Sequence, residues 1–445
     1  MAATAIAPSF LRTLAPPRGL WATQLFVAWT TFTTIDPIGF GPLPLKPFLL
    51  VLALAVWFPH RSRMRIPFAF WVVLIAIGVP LIWSIVATFY PHPNAGLSPS
   101  PLSLTIEHAS RFVYLLLYLP LADATMQGDG RRGIAMWVVP VLALCALTWL
   151  LYILYNRLGV DIGVSRISTE ATAPSKVGPL AGIVEAPGQG VGRMFFSNHI
   201  LLLPTIAVLM GLTLRGPSLD DRHRRWLLIA LLFAIATLFP IHTRGITIGM
   251  LAVLVVIAAL SFRIGSIWPV VMLGAIAALL LLTSIDPRAT AFLKGERSDA
   301  SIQERVIQAP QLLQAWERRP LLGSGLGAVL PSGFARSASA PYSFELTYHA
   351  ILFQNGLVGL LLIVGVPLYI ALGALLALRR LAREERALAI GGAAGIAGLL
   401  VAGATNPYLI STFGMLALAA TLAVCARAVH LGRRAGRAGG RARAG

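Results

Sequence analysis

The sequence predicts an all-α, polytopic integral membrane protein, and three observations predict it. Hydrophobic residues make up 57% of the 445-residue chain and charged residues 12%, about half the charged share of soluble domains. The mean hydropathy is +0.78. Apolar runs close to the ~20 residues a helix needs to cross a bilayer recur along the chain, separated by short arginine-bearing segments.

Twelve candidate spans follow in order: 20–36, 43–58, 67–90, 104–122, 133–156, 196–214, 226–241, 246–262, 267–285, 349–378, 387–404 and 408–427. Prolines 37, 42, 44 and 47 crowd the junction of the first two, and the seventh is short. Residues 1–19 read as a cytoplasmic leader, because Arg12 and nearby prolines interrupt the apolar stretch a cleavable signal would need. A transmembrane domain covers 20–427, and a basic tail, expected to be disordered, covers 428–445.

The formal net charge of +19 suggests nucleic acid at first sight. The arginines, however, fall between apolar runs, where they set topology. Of the 36 basic residues, 22 lie in the leader, the tail counted from Arg427, and one alternating set of loops. That set holds Arg61, Arg63 and Arg65; Arg131 and Arg132; Arg215, Arg222, Arg224 and Arg225; Arg263; and Arg379, Arg380, Arg383 and Arg386. The positive-inside rule makes that side cytoplasmic, with both termini on it. Two large segments then lie outside, 157–195 and a loop of about 60 residues, 286–348, between spans nine and ten. Arg244 falls in the tight outer turn between spans seven and eight. There it sits near the membrane–water boundary rather than at mid-bilayer, where an arginine is costly.

No metal or cofactor is expected. Cys145 and Cys425 lie inside apolar runs without a CxxC pattern. There is no D-x-D, no H-E-x-x-H and no G-x-x-x-x-G-K-[ST], which argues against a nucleotide-sugar enzyme or an ATP-driven pump. The adjacent acids Asp220–Asp221 and Glu384–Glu385 fall on the cytoplasmic side.

In the long outer loop, Ile302, Val306, Ala309, Leu313 and Trp316 recur at three and four residues, the period of an amphipathic helix. Arg297 and Arg305 point off that apolar face. The following "PLLGSGLG" is either a connector or a turn that offers backbone N–H groups to an oxyanion. His349 opens span ten on the outer side. Glu345 precedes it by four residues, so in a continuous helix the two share a face and the carboxylate can orient the imidazole.

Thr243-Arg244-Gly245 at a span start, the run Arg297, Ser301, Arg305, Trp316, Pro320, Gly323 and Gly325, and His349 followed by "QNGLVG" together resemble the O-antigen ligase and O-antigen polymerase family of bacterial membrane glycosyltransferases. "GRMFFSNHILLLP" and Asn406-Pro407 add to the likeness, which spans roughly 190–410. Thr243 stands where the family often has Ser, and Ala350 where it usually has Asn. The resemblance implies a GT-C-like fold and an undecaprenyl-diphosphate-linked glycan as donor. It implies lipid A–core or another glycan as acceptor, and a multi-pass enzyme of the bacterial inner membrane working on the periplasmic face in lipopolysaccharide biosynthesis. It also implies essential arginines and a histidine, here Arg244, Arg305 and His349.

The residue chemistry fits that picture. A lipid diphosphate gains charge as it leaves, and a fixed guanidinium fork binds phosphate oxygens and stabilises that charge. Arg244 and Arg305 are the first candidates, then Arg193, Arg297 and Arg111. His349 is the candidate general base for the acceptor hydroxyl. A single displacement inverts the anomeric centre. A ligase and a polymerase of O-antigen or exopolysaccharide share these parts. Competing readings make Arg244 an interfacial anchor and give His199 and His242 hydrogen-bonding roles. A transporter of a lipid or solute would use Gly391, Gly392, Gly395, Gly398 and Asn406-Pro407 in a broken, moving helix.

Overall fold

The structure is a computed structural model. It describes residues 19–32, 45–61, 68–90, 101–127, 130–158, 182–184, 193–195, 197–215, 221–241, 243–262, 300–334 and 341–444. Apolar helices dominate these residues. α1 (Trp21–Phe32), α2 (Leu45–His60) and α3 (Phe68–Thr88) come first. α4 (Pro101–Val113) runs through a 3-10 turn into α5 (Tyr118–Met126), and α6 (Arg131–Leu158) follows. Next are α7 (Leu202–Arg215), α8 (Asp221–Ala236), the single turn α9 (Leu238–Ile241) and α10 (Arg244–Phe262). α11 (Ala300–Glu317) lies in the long loop. α12 (Thr347–Leu360) continues through a π-turn into α13 (Val366–Ala377). α14 (Arg383–Thr405) and α15 (Thr412–Ala444) close the chain. One short antiparallel pair, β1 (Gly182–Val184) and β2 (Arg193–Phe195), departs from the all-α expectation, with Ile183 opposite Met194.

Every candidate span except the ninth meets a helical segment. Span 267–285 lies outside the described residues. Among the described residues, six helical stretches are long and apolar enough to cross a membrane, and three shorter apolar helices accompany them. This is a helical, polytopic membrane protein. Its outward faces carry Ile82, Trp226 and Leu376, each more than half exposed, as suits helices whose backbone groups are satisfied internally and whose side chains meet lipid.

α14 and α15 form the central pillar. Their apolar windows are 83% and 89% buried, against 33% for those of α3, α8 and α12–α13. α14 packs on α7, α10 and α15. Lipid gives no hydrophobic drive between helices, so close approach has to supply the contact energy. Small residues permit it. A Cβ added at Gly211 would lie 2.4 Å from the Ala387 carbonyl oxygen, and one at Gly391 would lie 2.7 Å from that of Ala207. Gly395 and Gly398 meet α7, α15 and α10 in the same way. The α14 glycines thus mark tight packing along one uninterrupted helix, not a broken one. α15 also corrects an expectation. The basic tail is not disordered up to Ala444 but continues the helix, whose 33 residues make roughly 50 Å at 1.5 Å per residue, well beyond the ~30 Å hydrocarbon core.

The outer loop is built into the bundle. α12 breaks at Gly356 (φ 64°, ψ −167°), which frees backbone groups that a membrane interior would leave unsatisfied. Segment 320–325 meets them. Leu357 N–H donates to the Pro320 carbonyl (2.9 Å), Val358 N–H to that of Leu321 (3.0 Å), Ser324 N–H to Phe353 (2.8 Å) and Gly325 N–H to Gln354 (2.7 Å). Leu326 N–H reaches Ser84 Oγ on α3 (2.9 Å). The glycine-rich turn therefore spends these N–H groups on the bundle and does not offer them to an oxyanion, since a buried backbone donor must be paired.

α11 is a helix, as its periodicity predicts, but a different face is buried. Gln308, Leu312 and Ala315 point inward while Val306 is 69% exposed. Beside a membrane both the packed and the outward faces are apolar, so periodicity alone does not choose between them.

Candidate functional site

Arg305 lies on the buried stripe of α11, one turn before Gln308. Its Nε donates to Glu345 Oε2 at 2.8 Å and one Nη to Asn406 Oδ1 at 3.1 Å. Asn406 sits at the corner between α14 and α15, and its carbonyl accepts the Thr347 hydroxyl at 2.8 Å. Gln308, fully buried, accepts the N–H groups of Glu345 (3.0 Å) and Leu346 (3.2 Å). Three parts of the chain are thus clamped at the head of α12. The Glu345 side chain is 5% exposed and that of Arg305 27%. The carboxylate lies behind the guanidinium, whose second Nη has no partner among the described residues.

His349 is the third residue of α12 and half-buried. The helix begins only at Thr347, and Leu346 has non-helical backbone (φ −83°, ψ 85°). Glu345 and His349 therefore do not share a helical face, and Glu345 turns to Arg305 instead. Arg244 is the first residue of α10, and the Thr243 hydroxyl next to it donates to the Ile241 carbonyl at 3.1 Å. Arg193 opens β2. Arg297 and His242 lie outside the described residues. His199 is fully buried, with Nε2 2.9 Å from the Thr148 hydroxyl, the hydrogen-bonding role expected of it.

Arg111 belongs to a second cluster, on α4. Its Nη2 donates to the Tyr342 hydroxyl at 3.0 Å, and that hydroxyl donates to Glu107 Oε1 at 2.5 Å. The Arg111 guanidinium carbon also lies 5.2 Å from the centre of the Tyr342 ring. Tyr342 is fully buried and stacks on His108 with ring centres 4.7 Å apart. Burial, the largest cause, lifts the phenol well above its ordinary range; the Arg111 charge opposes this and the bond to Glu107 adds to it. The hydroxyl therefore acts as a protonated donor. Glu107 was missed at the sequence level, although a carboxylate in an apolar run is itself a signal. Gln308 gave none, since its role depends on the fold.

At the opposite end of the bundle, Arg427 pairs with Glu385 (2.6 Å) and Arg131 with Glu384 (2.8 Å). The groups that the charge rule assigns to one side of the membrane meet at one end, and the Arg305 and Tyr342 clusters occupy the other. Among the described residues no three His, Cys, Asp or Glu gather as a metal site.

No curated protein matches the chain. The family model described as O-Antigen ligase matches residues 229–364, the stretch that contains Arg244, Arg305, Glu345 and His349, and over that stretch the chain is similar to the family.

Proposed function

We propose that the protein is an O-antigen ligase-like glycosyltransferase. It moves a glycan from undecaprenyl diphosphate to a sugar hydroxyl of lipid A–core, on the periplasmic face of the bacterial inner membrane, in a GT-C-type scaffold of about twelve spans. The observation that carries this reading is Arg305: a guanidinium held by Glu345 and Asn406 with one Nη left over, at the head of a span within the matched segment. A fork fixed in this way meets a developing phosphate charge without reorganising during the reaction. Arg305 and Arg244 bind the leaving diphosphate, with Arg193 and Arg297 in support. His349 takes the proton of the acceptor hydroxyl as the hydroxyl oxygen attacks the anomeric carbon. The C–O bond to the diphosphate breaks on the opposite side, so the centre inverts.

Lipopolysaccharide profiling tests this in a strain lacking the protein. Loss of long glycan from lipid A–core, with polymerised lipid-linked glycan accumulating, supports the ligase; an unchanged profile refutes it. Transfer of only single repeat units would instead indicate the polymerase, the alternative within the same family. Complementation with His349→Ala or Arg244→Ala should not restore the profile.

A further inference from the structure

We propose that Glu107, Arg111 and Tyr342 form a second polar subsite, beside the Arg305–Glu345 pair, that binds the hydroxyl groups of the acceptor sugar. This deepens the functional reading above and rests on it.

Three features point there. First, the cluster presents both hydrogen-bonding senses. Glu107 is exposed and Arg111 half-buried; the Tyr342 hydroxyl bridges them, donating to the carboxylate and accepting from the guanidinium. Glu107 Oε2 and the remaining N–H groups of Arg111 have no partner among the described residues. Neighbouring sugar hydroxyls each donate and accept, so a carboxylate and a guanidinium side by side match them. At Arg305 the carboxylate is hidden and only the cation is presented, which suits an anion. The two clusters therefore differ in the ligand they favour.

Second, the cluster is incomplete. The Gly327 N–H donates to His108 Nδ1 at 3.2 Å, so the neutral ring carries its proton on Nε2. That Nε2–H is fully buried and has no partner among the described residues. A buried donor of this kind calls for an oxygen from outside the chain, either a ligand's or a bound water's.

Third, the two clusters are joined by a short stretch of chain. Tyr342 and Glu345 are three residues apart, so their Cα atoms are within about 11 Å even if fully extended. The proposal requires that proximity, since a donor anion and an acceptor hydroxyl meet at one carbon.

The test uses the purified full chain in lipid nanodiscs, with undecaprenyl-diphosphate-linked glycan as donor and titrated lipid A–core as acceptor. Glu107→Gln and Tyr342→Phe preserve shape, and Arg111→Met removes the fork. Each is expected to raise the acceptor KM tenfold or more and leave the donor KM within twofold. The same rise with a phosphate-free acceptor supports sugar hydroxyls as the ligand. A rise confined to phosphorylated acceptor overturns that assignment. A rise in donor KM, or kinetics like wild type in both isosteric variants, overturns the subsite. Failure of the wild-type protein to transfer glycan at all defeats the functional reading itself, and the subsite with it.

Discussion

Arg427 and Arg305 are both arginines paired with a glutamate, at opposite ends of the same bundle. Arg427 commits its whole fork. Nε and Nη2 go to Glu385, Nη1 goes to the Thr125 carbonyl, and the side chain is 6% exposed. It pins α5, α14 and α15 together. Arg305 commits two nitrogens, keeps a third, and is 27% exposed. A saturated, sealed arginine is a structural pin. One that is held rigid yet left unsaturated fits the ligand-binding role proposed for Arg305. Burial and pairing separate the two roles where residue type cannot.

The comparison can be sharpened by variants that touch only one end. The largest effect is expected at Gly356, which supports the outer end. A Cβ there would lie 2.2 Å from the Leu321 carbonyl oxygen, and φ is positive. Gly356→Ala should destabilise by more than about 4 kcal/mol, in the range of exceptional single substitutions, read as loss of folded protein in detergent melting. Arg427→Ala comes next. Breaking a buried pair leaves Glu385 uncompensated and costs about 3–5 kcal/mol; protein that does fold should transfer glycan at the wild-type rate. Arg131→Ala is the smallest. Its pair with Glu384 is 45% and 22% exposed, and such surface pairs contribute about 0.2–1 kcal/mol. A melting shift for Arg131→Ala as large as that for Arg427→Ala would break the distinction between sealed and open pairs.

Much of the helical layout was legible in sequence, because hydropathy over a span is local: each candidate span among the described residues meets a helix. The α11 helix was legible too, but its packed face was not, since Gln308 is buried only because Glu345 and Leu346, nearly forty residues away, supply its donors. "PLLGSGLG" reads equally as a connector or an anion cradle, and the carbonyls it satisfies lie about thirty residues on, past a helix break that Gly356 alone does not announce. The glycines of α14 suggest a hinge only under the competing transporter reading; their use depends on α7 and α10. At the site, Arg305 and Glu345 were both singled out from sequence, but not their bond across 40 positions. The Glu107–Tyr342 bond spans 235, and no local pattern shows it.

The most direct test of the central claim is Arg305→Lys in the purified full chain, with glycan transfer and thermal melting measured on the same sample. Lysine keeps the charge against Glu345 but lacks the planar fork. The account predicts a melting temperature close to wild type and a transfer rate at least about 100-fold lower, as for loss of a fixed transition-state donor. A folded Arg305→Lys protein that transfers glycan within about threefold of the wild-type rate would contradict it, and Arg305 would then be a second structural pin.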